Sequence, residues 1–147
     1  MRFETRIDVA ATPEEVWAQL ADVAAWPEFI PTMSTVTLLE DGPIGVGSTA
    51  RIKQPGMPAF VWRVTEWTPG ASFTWQTVSP GVTTVATHSI HPEDGDGDGT
   101  SVLLGVVQTG WLAPLIALTT GSRTRRYVTT EAASLKERCE KGRPGTA

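Results

Sequence analysis

The sequence predicts an α+β fold: seven antiparallel strands, two short helices after the first strand, and a long C-terminal helix packed on the sheet. Three observations carry this prediction. Arg2 to Val9 alternates strictly, with Phe3, Thr5, Ile7 and Val9 on one face and Arg2, Glu4, Arg6 and Asp8 on the other. From Ser34 to Thr109, β-branched and aromatic runs of strand length are separated by turn clusters such as Asp41-Gly42-Pro43, Pro55-Gly56, Pro69-Gly70 and Pro80-Gly81. From Trp111 to Lys141 the only proline is Pro114, in a first turn that tolerates it, and the period becomes helical.

The elements follow in order. Thr12-Pro13-Glu14-Glu15 is a capping box with proline at the first helical position. A helix should therefore start at Pro13 and bury Val16, Trp17 and Leu20. Asp22 can cap a second brief helix, and Pro27 and Pro31 leave no room for a long one. Six further strands are expected at roughly 34–40, 48–54, 59–67, 72–79, 82–92 and 100–109, and their short connections favour a meander. On the last helix Leu112, Leu115, Ile116, Thr119, Tyr127, Thr130 and Ala133 are taken to share the packed face. A length of 147 residues fits one domain, expected over 1–141, with 142–147 a disordered tail.

Composition excludes several functions. The net charge of −4 argues against a nucleic-acid partner. The charge is uneven, because residues 123–143 hold seven of the twelve basic side chains against three acids. This is read as a solvated helix end, with an anionic ligand or membrane surface as the alternative. No run is long and apolar enough for an integral membrane segment, and no targeting segment is visible, so a cytoplasmic protein is expected. A lone cysteine, Cys139, allows no internal disulfide, and neither it nor the two histidines form a zinc pattern. Asp94 to Gly99 copies the start of a calcium-binding loop. Gly105 stands where the bidentate acid belongs, so a hairpin loop is expected and no metal site. The spacing of Gly42, Gly45 and Gly47 makes no dinucleotide fingerprint, and no cofactor is implied.

Several segments together resemble one family over Arg2 to Glu140. They are Ala11-Thr12-Pro13-Glu14-Glu15-Val16-Trp17, Trp26-Pro27 with Ile30-Pro31, and Gly45-Val46-Gly47-Ser48. They continue with Trp62-Arg63-Val64-Thr65-Glu66, Gly99-Thr100 and Gly110-Trp111-Leu112-Ala113-Pro114-Leu115. In this order they resemble the START-like superfamily, also called SRPBCC or polyketide cyclase/dehydrase and lipid-transport proteins. The resemblance implies a helix-grip fold, in which a curved antiparallel sheet wraps around the long helix and encloses a cavity for an apolar or amphipathic molecule. It implies no particular reaction, since such folds serve cyclases, hydrolases, carriers and receptors alike.

Apolar alternation then assigns inward faces: Ile52 and Gln54; Phe60, Trp62 and Val64; Phe73 and Trp75; Thr84, Ala86, His88 and Ile90; Val102, Leu104, Val106 and Gln108. Val61, Trp67 and Leu103 are read as outward, and a bulge would reverse any strand. His88, an imidazole on an apolar strand face, is a candidate general base or ligand donor, or else a satisfied structural histidine. Phe60, Trp62, Phe73 and Trp75 are candidate walls for a lipid, polyketide or steroid-like ligand, while Trp17, Trp26 and Trp111 are assigned to the core. Gln108, Arg123 and Tyr127 are candidate polar anchors, and Arg126 is read as snorkelling. Gly121 hints at a close approach or kink beside the cavity.

Two functions stay open. One is binding of a hydrophobic small molecule. The other is cofactor-free cyclisation or dehydration with His88 as proton shuttle and Gln108, Tyr127 or Arg123 stabilising an enolate oxygen. No acid visibly partners His88 in the cavity, which tilts the reading toward binding. An assembly partner held at a sheet edge is a third class, although no oligomer is indicated.

Overall fold

The computed structural model describes residues 1–93 and 99–141. The expectations for Asp94–Asp98 and for the 142–147 tail lie outside these residues. Element order is β1 (Arg2–Val9), α1 (Pro13–Ala21), a short 3-10 helix (Val23–Glu28), β2 (Thr35–Leu38), β3 (Thr49–Lys53), β4 (Phe60–Thr68), β5 (Ser72–Ser79), β6 (Val82–Pro92), β7 (Thr100–Thr109) and α2 (Ala113–Lys141). The strands form one seven-stranded antiparallel sheet in the order β1-β7-β6-β5-β4-β3-β2. Consecutive strands pair as hairpins, and β1 joins at the far edge by pairing with β7 from Arg2↔Val107 to Val9↔Thr100. The fold is the helix grip: α2 lies across the inner face and packs on β1, β7 and α1.

Local chemistry accounts for the element ends. The Thr12 hydroxyl accepts from the Glu15 amide at 3.2 Å, and Pro13 occupies the first turn, where its missing N–H costs nothing. Asp22 precedes the 3-10 helix but makes no side-chain cap there. That helix is held instead by Trp26, whose indole N–H donates to the Leu20 carbonyl at 3.1 Å. Between β7 and α2 the chain turns at Gly110, whose φ of 112° suits glycine, and an added Cβ would collide with the Gly81 carbonyl oxygen.

The core concentrates at one end of the grip. Val9, Val16, Val23, Trp26, Val64, Phe73 and Val102 are almost wholly buried, and Ala132 and Leu135 of α2 close over them. Trp17, Trp26, Phe73 and Trp75 meet at ring separations of 5.4–6.3 Å, mostly edge to face.

Three sequence expectations are corrected. In the β4–β5 pairing, Val64 faces Trp75 and Glu66 faces Thr74, so one extra residue is accommodated between them. This bulge turns Trp67 inward, against Trp17 at 5.4 Å and Phe73 at 5.2 Å, where unbroken alternation had placed it outward. Trp111 is 80% exposed instead of in the core, because it lies on the turn before α2 begins. The packed face of α2 is also rotated. Leu115, Thr119 and Ala133 point to solvent, while Gly121 is buried away from the cavity, its nearest neighbours being Arg125 and Met1.

Candidate functional site

Toward the other end of the grip, sheet and helix part around a cavity of about 380 Å³. Its floor is the concave face of β3 to β7, with Ile52, Phe60, Trp62, Trp75, Ala86, His88, Leu104, Val106 and Gln108. Its roof is the α2 face formed by Leu112, Ile116, Thr120, Arg123, Thr124, Tyr127, Val128 and Glu131. This recurrence at three and four residues is one helical stripe. The β3–β4 connection adds Gln54, Met57 and Pro58, and the β5–β6 turn adds Ser79, Pro80 and Val82.

The roof is polar by composition yet largely apolar in what it presents. The Thr120 hydroxyl donates to the Ile116 carbonyl at 2.8 Å, and the Thr124 hydroxyl to the Thr120 carbonyl at 3.1 Å. Those hydroxyl hydrogens are consumed by the helix's own backbone. Two larger side chains hold the β3–β4 connection. Tyr127 donates its hydroxyl to the Pro55 carbonyl at 2.7 Å, and Arg123 donates to the Gly56 carbonyl at 3.2 Å. Arg126 is exposed, with its guanidinium 5.8 Å from the Tyr127 ring centre.

His88 is 4% exposed and sits between aromatic rings. Phe73 stacks on it at 4.1 Å with the planes 9° apart, and Trp26 and Trp75 approach at 5.7 and 5.8 Å. Its Nδ1 lies 3.2 Å from the Phe73 carbonyl. A carbonyl only accepts, so Nδ1 carries the hydrogen and Nε2 is left as an acceptor. Burial lowers the His88 pKa from 6.5 to about 4, outweighing the Phe73 hydrogen bond that raises it. The imidazole is neutral at ordinary pH.

Glu131 is the residue that sequence reasoning missed. It lines the cavity, and burial raises its carboxyl from 4.5 to about 8. The side chain is half-buried and lines the cavity, so its carboxyl is shielded from bulk water without being sealed. The sequence showed no obvious acid in the cavity, and the structure supplies one in Glu131. A glutamate on a helix reads as solvent-facing, and the available signal was its spacing of four from Tyr127. The cavity thus contains a neutral base and a protonated acid.

The other candidates divide. Phe60, Trp62, Trp75, Gln108, Arg123 and Tyr127 all reach the cavity wall. Trp62 and Trp75 lie 5.9 Å apart on neighbouring strands. Phe73 does not reach it: fully buried, it stands behind His88 as packing. Among the described residues no cluster of three or more His, Cys, Asp or Glu side chains could hold a metal ion, and no helix is long and apolar enough to cross a membrane.

A curved sheet gripping a helix around an apolar cavity defines a small-molecule-binding architecture. The sequence profile described as polyketide cyclase / dehydrase and lipid transport matches residues 1–140, and the chain belongs to that family. Among solved structures, the Zhui aromatase/cyclase from Streptomyces sp. R1128 superposes with a TM-score of 0.78 at 17% identity, covering 96% of this chain and 94% of that one. Norcoclaurine synthase from Thalictrum flavum, in complex with dopamine and hydroxybenzaldehyde, gives 0.74 at 13% identity over 98% of this chain and 88% of that one. These likenesses show the shared fold. A curated relative, the uncharacterized protein Rv2574 of Mycobacterium tuberculosis, is 35% identical over 54 residues, which is 37% of this chain and 32% of that protein. The match thus spans about a third of the relative's length.

Proposed function

We propose that this protein binds a hydrophobic or amphipathic small molecule, of lipid, polyketide or steroid-like character, between the sheet and α2. Residues 1–141 serve as one domain in this reading. The observation that carries it is the cavity itself: about 380 Å³ remains open between Trp62, Trp75 and the α2 stripe, where a solid core would be filled. A cytoplasmic setting belongs to the same reading, in keeping with Cys139 as a buried free thiol. Native mass spectrometry of freshly purified protein, followed by solvent extraction, tests it. A co-purifying apolar molecule whose affinity falls at least tenfold in Trp62→Ala supports the proposal. Failure of every apolar ligand to bind or to change tryptophan fluorescence overturns it.

A second reading, cofactor-free cyclisation or dehydration, is favoured by the presence of both His88 and Glu131 in the cavity lining. In it, His88 Nε2 takes a proton beside a ligand carbonyl and the protonated Glu131 gives one to a departing hydroxyl, so that water leaves and charge balances. Arg123 and Tyr127 have hydrogen-bonding commitments to the β3–β4 connection, which makes them less available to an enolate oxygen. His88→Ala should then lower turnover of a β-hydroxy carbonyl substrate while leaving affinity within a few-fold. A loss of thermal stability without a kinetic effect returns His88 to a packing role.

A further inference from the structure

Along α2 the cavity wall ends at Glu131, since the next inward residues, Ala132 and Leu135, are buried in solid core. Beyond them Arg138 meets Gln19 and Glu28 of the first two helical segments. Glu131 therefore stands at the closed end of the cavity, away from the Leu112 and Pro80 end.

Several polar atoms of this cavity lack a partner in the protein. Nε2 of His88 is an acceptor, because Nδ1 is committed to the Phe73 carbonyl. The Glu131 carboxyl, held protonated, is an O–H donor as well as an acceptor, and it makes neither a hydrogen bond nor an ion pair among the described residues. Oε1 of Gln108 is buried without a partner. The Thr120 and Thr124 hydroxyls are occupied by the helix backbone, and the Tyr127 hydroxyl by Pro55. Arg123 is tied at the β3–β4 connection, eight residues from Glu131 and so about 12 Å away along the helix.

We infer, building on the ligand-binding reading above, that the natural ligand carries a hydroxyl at its inward end, an alcohol or phenol, which accepts from the Glu131 O–H and donates to Nε2 of His88 or Oε1 of Gln108. A bare hydrocarbon end would displace water from these groups and leave them unpaired, a loss of about tenfold or more in affinity for each. A carboxylate end would bring a negative charge to a place with no cation. An ammonium end would pair with Glu131 in its ionised form, the state that the empty cavity disfavours.

Calorimetric titration near neutral pH with four probes of one size tests this: naphthylethanol, naphthylethylamine, naphthylacetate and ethylnaphthalene. The alcohol should bind at least tenfold more tightly than each of the other three. Glu131→Leu and His88→Leu, each checked for folding by its thermal melt, should narrow the gap between alcohol and hydrocarbon. Equal or tighter binding of the amine, naphthylacetate or ethylnaphthalene overturns the inference, as does an alcohol preference that survives both substitutions. Failure of all four probes to bind overturns instead the ligand-binding reading on which the inference rests.

Discussion

Replacing Glu131 with glutamine should change how stability depends on pH, by an amount that the cavity sets. The folded carboxyl titrates at about 8 and the unfolded one near 4.5, so across that window the folded protein holds a proton that the unfolded chain has released. The corresponding stability is present below pH 4.5 and is lost as pH rises to about 8. His88 runs the other way: its contribution is present above pH 6.5 and is lost as pH falls to about 4. From 4.5 to 6.5 the two slopes oppose each other, one proton each, and above 6.5 only the Glu131 slope remains. At about 1.4 kcal/mol per pKa unit, the interval from 4.5 to about 8 sets a ceiling of about 5 kcal/mol. The carboxyl faces a cavity that water can enter, so about half of this, roughly 2–3 kcal/mol, is expected. For a chain of this size that is about 6–9 °C in Tm. Scanning fluorimetry of the parent protein and Glu131→Gln, at matched ionic strength from about pH 5 to about pH 9, isolates the effect, because every other titrating group is common to both. The Tm of the variant should rise relative to the parent across that range. A difference that stays flat to within about 1 °C would show that Glu131 is solvated like a surface carboxylate and would refute the reasoning.

Three further outcomes are expected. Phe73→Ala removes the ring stacked on His88 and should cost about 3–5 kcal/mol in chemical denaturation; a loss under about 1 kcal/mol would show that this aromatic cluster is not core. Gly121→Ala should raise stability by about 0.4–1 kcal/mol, because the added methyl meets only ordinary contacts at 3.7 and 3.8 Å and the helix runs unbroken through that residue; a drop in Tm would reveal a need for glycine there. Tyr127→Phe removes the hydrogen bond to Pro55, so the Met57 amide should exchange its hydrogen about fivefold faster; unchanged exchange would mean that the tyrosine does not hold this connection.

Strands were legible where one face is buried and the other wet. The boundaries of β1, β5, β6 and β7 follow directly from alternation and Pro-Gly turns, and the Thr12 cap fixes the start of α1. Trp67 was misplaced because a bulge leaves no mark in residue type: Thr65 looks like any strand threonine, yet it shifts the face of everything after it. On α2 the error came from reading hydrophobicity as burial. Leu115 is exposed, whereas Thr120, Thr124 and Glu131 line the cavity. A helix that roofs a cavity is not held to the pattern of one that fills a core. His88 was legible because an imidazole interrupts an apolar run. Glu131 was not, because an acid on a helix is ordinary until the opposite wall is known.

The bulge in β4 divides the labour of a single strand. Before it, Trp62 lines the cavity; after it, Trp67 joins the packed aromatic cluster with Trp17 and Phe73. Because the extra residue absorbs the change of face, the two stretches answer to different demands. Substitutions at Phe60 and Trp62 can reshape the cavity, while the foundation around Trp17, Trp67 and Phe73 stays as it is. A fold partitioned this way can change its hollow without having to rediscover its stability.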